Sequence, residues 1–332
     1  MDSATGQKLD ELRSDYQAVV GSPFSHFYCP IVLQDEDVDL CRAHIVNRAF
    51  PESSRNWTVQ RTDVDSFYGR IFEGDFVDIQ YRGKQSPDQI IVDPDLSKKL
   101  RPKILLGGEV VQHFVARGPV PDRFTEAVVG GPSGAIRLGL KIHPDDASAA
   151  MSKGCEILIE IDIRLPALVS LLKAAHLTLF EMLGYRYALS AGGSFLGRTV
   201  LGDFFLQNRD LSKADILKNA ASHFREFANM VRPVLSPATT VQGTVTDRFL
   251  FVCHCEAQTP WALIVFIRTS DLLHAVLVPV FEVPSAAARF VTFLRGEGGP
   301  IQANRCRFED DKWLAAKQPE TLMWPKAELQ EP

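Results

Sequence analysis

The chain has 332 residues, of which 45% are hydrophobic and 23% charged, and its formal net charge is −5. This length and composition are typical of a globular protein of about two domains with a real core. The negative net charge excludes a global attraction to phosphate, so a nucleic-acid surface could only be a local basic patch.

The N-terminal third contains the clearest pattern. Residues 1–22 are predicted to form a short polar helix or a loose arm. The stretch that follows is β-prone around His44 and predicts a hairpin over about 30–60. A helix over 62–75 is predicted next, because one face repeats apolar residues at helical spacing: Val64, Phe67, Tyr68, Ile71 and Phe72. The composition changes at 82–89, which suggests domains at 1–85 and 86–332.

The remainder of the chain is predicted to alternate strands and long helices. A β-rich region covers two strands around Gly107 and Gly108, a strand at 135–142, a short helix at 143–154 and a strand at 156–163. Long helices are predicted at 166–189 and 211–232, and four strand-like runs over 239–283 form an antiparallel meander. The tail from about 309 is predicted to be an irregular strap. The class is therefore α+β: an N-terminal ββα segment, a β-rich region, long helices and a β meander.

Several residues and segments that could carry chemistry have a structural interpretation instead. GGPSG at 130–134 and AGGSFLG at 191–197 lack the context of a phosphate-binding loop and are predicted to be turns. Strand alternation sends Cys253 and Cys255 to one face and His254 to the other, so buried cysteines are favoured over a metal site. His176 in an apolar helix is predicted to be a satisfied core or interface residue.

The N-terminal segment, over about residues 27–76, resembles the HNH (His-Me finger) endonucleases. The resemblance rests on the order of Cys29, Cys41, His44, Ile45, Val46, Asn47, Asp65, Phe67, Tyr68, Gly69, Phe72 and Glu73. The segment is similar to the HNH variety whose core sequence pattern reads C..C, then HIIP, then CN..FG..E. This resemblance implies a hairpin followed by a helix, with a divalent ion held between them.

The resemblance also implies roles for single residues. His44 would be the general base that takes a proton from the attacking water, and would lie beside the metal. Asp65 would stand where the family has a helical metal ligand, and a carboxylate suits Mg²⁺ or Mn²⁺. Glu73 would share a helix face with Asp65, because the two are eight residues apart. The implied activity is a metal-dependent hydrolase that cleaves phosphodiester bonds.

The segment departs from the family at several positions. Ala43 precedes the histidine where an acidic ligand is frequent, and Asn47 stands where proline follows. The family's second cysteine pair falls near Arg61 and Val64, neither of which binds zinc. Cys29 and Cys41 remain as candidate structural cysteines, and we expect no zinc because a closed site needs four ligands.

Arginines and a tryptophan surround the motif: Arg42, Arg48, Arg55, Arg61 and Trp57. Arginines interspersed with aromatics suit phosphate contact and base stacking, which favours DNA or RNA as a partner. The alternative is that Arg61 and Arg70 pair with the nearby carboxylates between Asp63 and Asp78.

Three interpretations therefore remain: a metal-dependent nuclease, a catalytically degenerate HNH-like module that binds nucleic acid or a partner, and an unrelated α+β protein. Residues 86–332 carry no recognisable motif and could support a homo-oligomer. The N-terminus is not apolar and no uninterrupted run reaches the roughly 18 residues of a membrane helix. Six cysteines do not make a dense disulfide framework. We expect a cytoplasmic protein with no membrane partner.

Overall fold

The computed structural model describes most residues of the chain. They are 2–47, 56–83, 103–106, 109–115, 125–130, 136–142, 155–158, 165–234, 249–254, 259–269, 272–295, 298–309, 312–316 and 318–325. They divide into two compact units, Met1–Gln80 with Ile163–Pro332, and Tyr81–Asp162.

The first unit opens with a helix and a strand pair. Helix α1, Ser3–Val20, begins where the Asp2 carboxylate accepts a hydrogen bond from the Thr5 N–H at 2.8 Å, and ends at Gly21 with φ 92°. Strands β1, Leu40–His44, and β2, Trp57–Arg61, pair antiparallel, with His44 opposite Trp57. Helix α2, Thr62–Gly83, follows β2 directly.

The apolar face of α2 is buried, as the helical spacing predicts. Val64, Phe67, Tyr68, Ile71 and Phe72 are each at most 5% exposed. Strand pairs followed by a helix occur in many α+β proteins, so this order of elements does not by itself identify an HNH fold.

Helix α3, Leu165–Ala188, is the central helix of the first unit. Most of its side chains are buried, including those of Lys173 and His176. It contains a break at Gly184, where φ is 63°. Among the described residues α3 is the one helix long and apolar enough to cross a membrane, but 78% of its most apolar window is buried inside the protein. Such burial is typical of a core helix.

The glycine-containing stretch after α3 is helical, so the predicted turn at 191–197 is wrong. Helix α4, Ala191–Ser194, continues into a π-helix, Phe195–Gly202, and then into α5, Asp203–Asn208. Glycine serves here for close approach: a Cβ on Gly192 would lie 2.0 Å from the Pro279 carbonyl oxygen, and one on Gly193 1.9 Å from that of Tyr187.

The rest of the first unit is a helix pair and a seven-stranded sheet. Helix α6, Lys213–Phe224, and a 3₁₀ turn, Arg225–Met230, replace the single helix predicted over 211–232. The strands are β8 Val231–Val234, β9 Phe249–His254, β10 Pro260–Thr269, β11 Leu272–Pro279, β12 Gly298–Glu309, β13 Lys312–Ala315 and β14 Glu320–Pro325. Their order is β13-β12-β9-β10-β11-β8, and β14 also pairs with β12.

This sheet confirms the antiparallel meander of β9, β10 and β11. The predicted run at 239–245 lies outside the described residues. The prediction of an irregular C-terminal strap is wrong, because residues after 309 form two strands that pair with β12. Helix α7, Pro284–Arg295, was not predicted; its Phe293 ring packs 5.3 Å from that of Trp261.

The second unit contains a five-stranded sheet of order β5-β6-β4-β3-β7. Its strands are β3 Lys103–Leu106, β4 Glu109–Val115, β5 Thr125–Gly130, β6 Ile136–Ile142 and β7 Cys155–Leu158. The predicted strands around Gly107 and Gly108 and at 135–142 are present, whereas β5 was not predicted. The helix predicted over 143–154 lies outside the described residues.

Helices and sheets that are antiparallel except for the parallel pair β4–β6 together confirm the α+β class. The compact units differ from the predicted domains at 1–85 and 86–332. The chain does change unit near residue 80, but residues from 163 onward fold with the N-terminal segment.

Candidate functional site

Helix α2 presents a row of functional side chains to α3. Asp65, Gly69 and Glu73 recur every four residues, which places them on one side of the helix. The Gly69 position leaves room on this side, since a Cβ there would first meet the Glu73 carboxylate at 3.9 Å. The row faces Lys173, which α3 holds at its buried surface.

Lys173 joins the two carboxylates of this row. Its Nζ lies 2.8 Å from Asp65 Oδ1 and 3.5 Å from Glu73 Oε1, and its side chain is 3% exposed. Burial by itself lowers the pKa of Lys173, but the negative charges of Asp65 and Glu73 outweigh burial and raise it. Lys173 is therefore an ammonium ion that pairs with both carboxylates inside the protein.

Strand β1 and the residues after it complete the arrangement, which we call the Lys173 cluster: Cys41, Asn47, Asp65, Glu73 and Lys173. Asn47 Nδ2 donates to Glu73 Oε2 at 2.5 Å, and Cys41 Sγ lies 4.0 Å from Asp65 Oδ2. The Lys173 ammonium also lies 5.7 Å from the centre of the Tyr68 ring.

The Lys173 cluster does not fit a divalent metal ion. A metal on Asp65 would have to displace the Lys173 ammonium, and the two cations would repel each other at close range in a poorly solvated site. Among the described residues, no three His, Cys, Asp or Glu side chains are grouped to hold a metal. Asp65 thus has an observed role, as the partner of Lys173, that differs from the predicted metal ligand.

His44 stands at the end of β1, opposite Trp57 in the strand pair. Strand alternation directs Arg42 and His44 to one face of β1, and Cys41 and Ala43 to the other. Cys41 is the strand residue that lies against Asp65. His44 and Asp65, which were predicted to lie beside the same metal ion, are therefore on opposite sides of β1.

Arg42 and Trp57 lie together on the same face of the hairpin as His44. The Arg42 guanidinium carbon is 4.3 Å from the centre of the Trp57 ring, which is the geometry of a cation–π contact. Both side chains are half-buried. This contact holds an arginine and an aromatic ring together on one face of the hairpin.

The two N-terminal cysteines have different surroundings. Cys29 is fully buried and donates to the Gln60 side-chain oxygen at 3.0 Å. Burial raises the pKa of the Cys29 thiol to about 12, and zinc binds thiolates. Cys29 is thus a core thiol of the loop that precedes β1, whereas Cys41 belongs to the Lys173 cluster.

Arg61 is an internal residue, which corrects its predicted role in nucleic-acid binding. It is 3% exposed and donates to both Asp63 oxygens, at 3.1 Å and 2.8 Å, and it also pairs with Glu36. Asp63 remains ionised at lower pH than usual: burial raises its pKa, but the Arg61 guanidinium lowers it by more. The alternative that Arg61 pairs with nearby carboxylates is confirmed. Arg48 and Arg55 lie outside the described residues.

His176 is confirmed as a satisfied core residue. Its Nε2 lies 2.9 Å from the Pro30 carbonyl oxygen, and its Nδ1 3.0 Å from the Tyr187 hydroxyl. A carbonyl can only accept, so Nε2 carries the proton and Nδ1 accepts from Tyr187. This neutral ring joins α3 to the loop that contains Cys29.

Lys173 is not among the site residues predicted from the sequence, although one signal was present. Lys173 is the single charged residue within the apolar run 165–180, and a charge in a buried helix requires a partner of opposite sign. The sequence does not say which of its 41 acidic residues is that partner.

No protein-family model, curated protein or solved structure matches this chain. The resemblance to HNH endonucleases therefore stays a prediction that rests on the order of short motifs.

Proposed function

We propose that this chain is a catalytically degenerate HNH-like protein that binds nucleic acid through the hairpin face of Arg42 and Trp57. The observation that carries the loss of catalysis is the position of Lys173, whose Nζ lies 2.8 Å from Asp65. An internal ammonium takes the place that the HNH resemblance gives to a divalent cation.

A divalent metal ion and the Lys173 ammonium differ in what they can do to a phosphodiester. A metal ion has open coordination positions, so it polarises the phosphate and stabilises the leaving oxygen. The Lys173 side chain is 3% exposed and its ammonium is already paired with two carboxylates, so it cannot approach a phosphodiester. The Lys173 cluster stabilises the packing of the hairpin and α2 but does not catalyse phosphodiester cleavage.

Support for nucleic acid as the partner comes from the hairpin face. A guanidinium stacked on an indole can contact a phosphate, and the other face of the indole ring can stack on a base. With a net charge of −5 the chain as a whole does not attract phosphate, so such binding needs a local basic patch. Single-stranded DNA or RNA is the substrate class that this pairing suits best, because its bases are available for stacking.

Trp57→Ala and Arg42→Ala should each weaken binding of a labelled single-stranded oligonucleotide about 5-fold or more, since base stacking contributes about 1–3 kcal/mol. Fluorescence anisotropy at two salt concentrations measures this, and the Arg42 variant should also reduce the salt dependence. Arg289→Ala is the matched control, because Arg289 also lies over a tryptophan, 5.6 Å from the Trp261 ring centre, but on α7. Equal effects of Arg42→Ala and Arg289→Ala, or no binding at all, would contradict the proposal.

The second candidate is the metal-dependent nuclease, which the observed order of β1, β2 and α2 continues to support. We expect no cleavage of plasmid or single-stranded DNA or RNA above background with Mg²⁺ or Mn²⁺. Cleavage that His44→Ala reduces by about 10²–10⁴-fold, with an unchanged melting temperature, would establish the nuclease instead. Asp65→Ala would then lose comparable activity.

A further inference from the structure

A cleft of about 710 Å³ lies on the side of α3 near its break, in the first unit. Helix α1, the end of α3 and the sheet strands β9, β10 and β11 form its walls. Its volume is within the range of about 300–1,000 Å³ that small-molecule sites occupy. None of the residues of the Lys173 cluster lines it.

The walls of the cleft are largely apolar. Leu12 comes from α1, Phe180 from α3 and Leu263 from β10, and Val280 directly follows β11. Leu12 and Phe180 are buried in the hydrophobic core that continues behind the cleft. An apolar ligand body would therefore be shielded from water on several sides.

The charge that lines the cleft is predominantly negative. Its carboxylates are Glu11, Asp15, Glu181 and Glu282, and its cations are Lys8 and Arg186. Lys8 is 3.7 Å from Glu11, so these two charges largely cancel. A positive ligand group is favoured over a negative one.

Thr58 adds a polar side chain to the cleft. It lines the cleft from β2 and is fully buried, and its Oγ1 has no hydrogen-bond partner within the part of the chain that the structure describes. An unsatisfied buried hydroxyl costs about 1–3 kcal/mol, which a ligand with a hydrogen-bonding group would recover.

We propose that this cleft binds a small amphipathic monoamine: an apolar or aromatic body, one ammonium group and one hydroxyl. The body packs against Leu12, Phe180 and Leu263, the ammonium lies among the carboxylates, and the hydroxyl pairs with Thr58. This site is independent of the hairpin face and of the function proposed for it.

Isothermal titration of the full chain with three matched probes tests this. Tyramine has all three features, phenethylamine lacks the hydroxyl, and 3-(4-hydroxyphenyl)propionate carries a carboxylate in place of the ammonium. Tyramine should bind saturably, phenethylamine about 5-fold or more weakly, and the propionate not at all, because a missing hydroxyl leaves the buried partner unpaired. Absence of saturable tyramine binding, or equal binding of the propionate, overturns the proposal.

Two variants locate the binding in this cleft. Thr58→Val should weaken tyramine about 5-fold and leave phenethylamine unchanged, so that phenethylamine reports whether the variant is folded. Glu282→Gln, at an exposed residue of the rim, should weaken both amines to a similar extent. If Thr58→Val affects neither amine, or both equally, the hydroxyl contact is wrong and the proposal fails.

Discussion

The free energy of unfolding should fall by about 2 kcal/mol for each of two histidines, His176 and His274, when the pH is lowered from 7 to 5. Both side chains are fully buried, and burial lowers the pKa of each from 6.5 to about 4. In the unfolded chain the same rings take up a proton near pH 6.5. The unfolded state therefore binds more protons between pH 6.5 and 4, so stability rises with pH in this window and is lost as the pH falls.

The contacts of His176 give the physical reason for this direction. A second proton would sit on Nδ1, which now accepts a hydrogen bond from the Tyr187 hydroxyl at 3.0 Å. Protonation would also place a charged ring in the apolar core that surrounds α3. The lowered pKa of Asp63 acts in a lower range, below its ordinary value of 3.8, and does not contribute between pH 5 and 7.

Urea unfolding at several pH values between 5 and 7 measures the slope. His176→Gln should remove about half of the slope, whatever it does to stability at pH 7. His26→Gln is the matched control, because the His26 side chain is 51% exposed and lies 4.0 Å from Asp37. An unchanged slope in His176→Gln would show that this histidine is not held neutral.

Lys173→Met should destabilise the protein by about 3–5 kcal/mol, which is the expected cost of removing one partner from a buried ion pair. Methionine keeps the approximate length of the side chain, so the loss comes from charge. Without the ammonium, Asp65 and Glu73 would remain in a largely buried position, 29% and 20% exposed, without a cation. Thermal and urea unfolding measure the effect.

Two further variants separate charge from packing. Lys218→Met on the exposed side of α6 should change stability by about 0.5 kcal/mol or less. Lys173→Met in an Asp65→Asn, Glu73→Gln background should cost much less than in the wild type, because no uncompensated carboxylate remains. A loss below about 1 kcal/mol for the single variant would contradict the role of Lys173 as the internal cation of the cluster.

The local elements were largely predictable from the sequence. The spacing of Val64, Phe67, Tyr68, Ile71 and Phe72 predicted α2 and its buried face, and apolar runs predicted α3 and the strands β9, β10 and β11. These features depend on residues within two or three turns, or within one strand, of each other. Helical periodicity also placed Asp65 and Glu73 on the same side of α2, which is the geometry of the candidate site.

Glycine positions and the C-terminal strands were not predictable in this way. The stretch 191–197 has the composition of a turn, yet Gly192 and Gly193 serve close packing against the carbonyls of Pro279 and Tyr187. Likewise β13 and β14 exist because β12 offers them hydrogen-bonding partners, and neither strand has a strong pattern of its own.

The sequence by itself determined the α+β class, the helix that carries the carboxylates and the hairpin before it, because periodicity acts over short separations along the chain. Only the tertiary structure decided what those carboxylates do. Lys173 lies 108 residues from Asp65 in sequence and 2.8 Å from it in space. Arg61 turns inward to Glu36 and Asp63 for the same reason, that a buried charge takes the nearest compensating group which the packing of the elements provides.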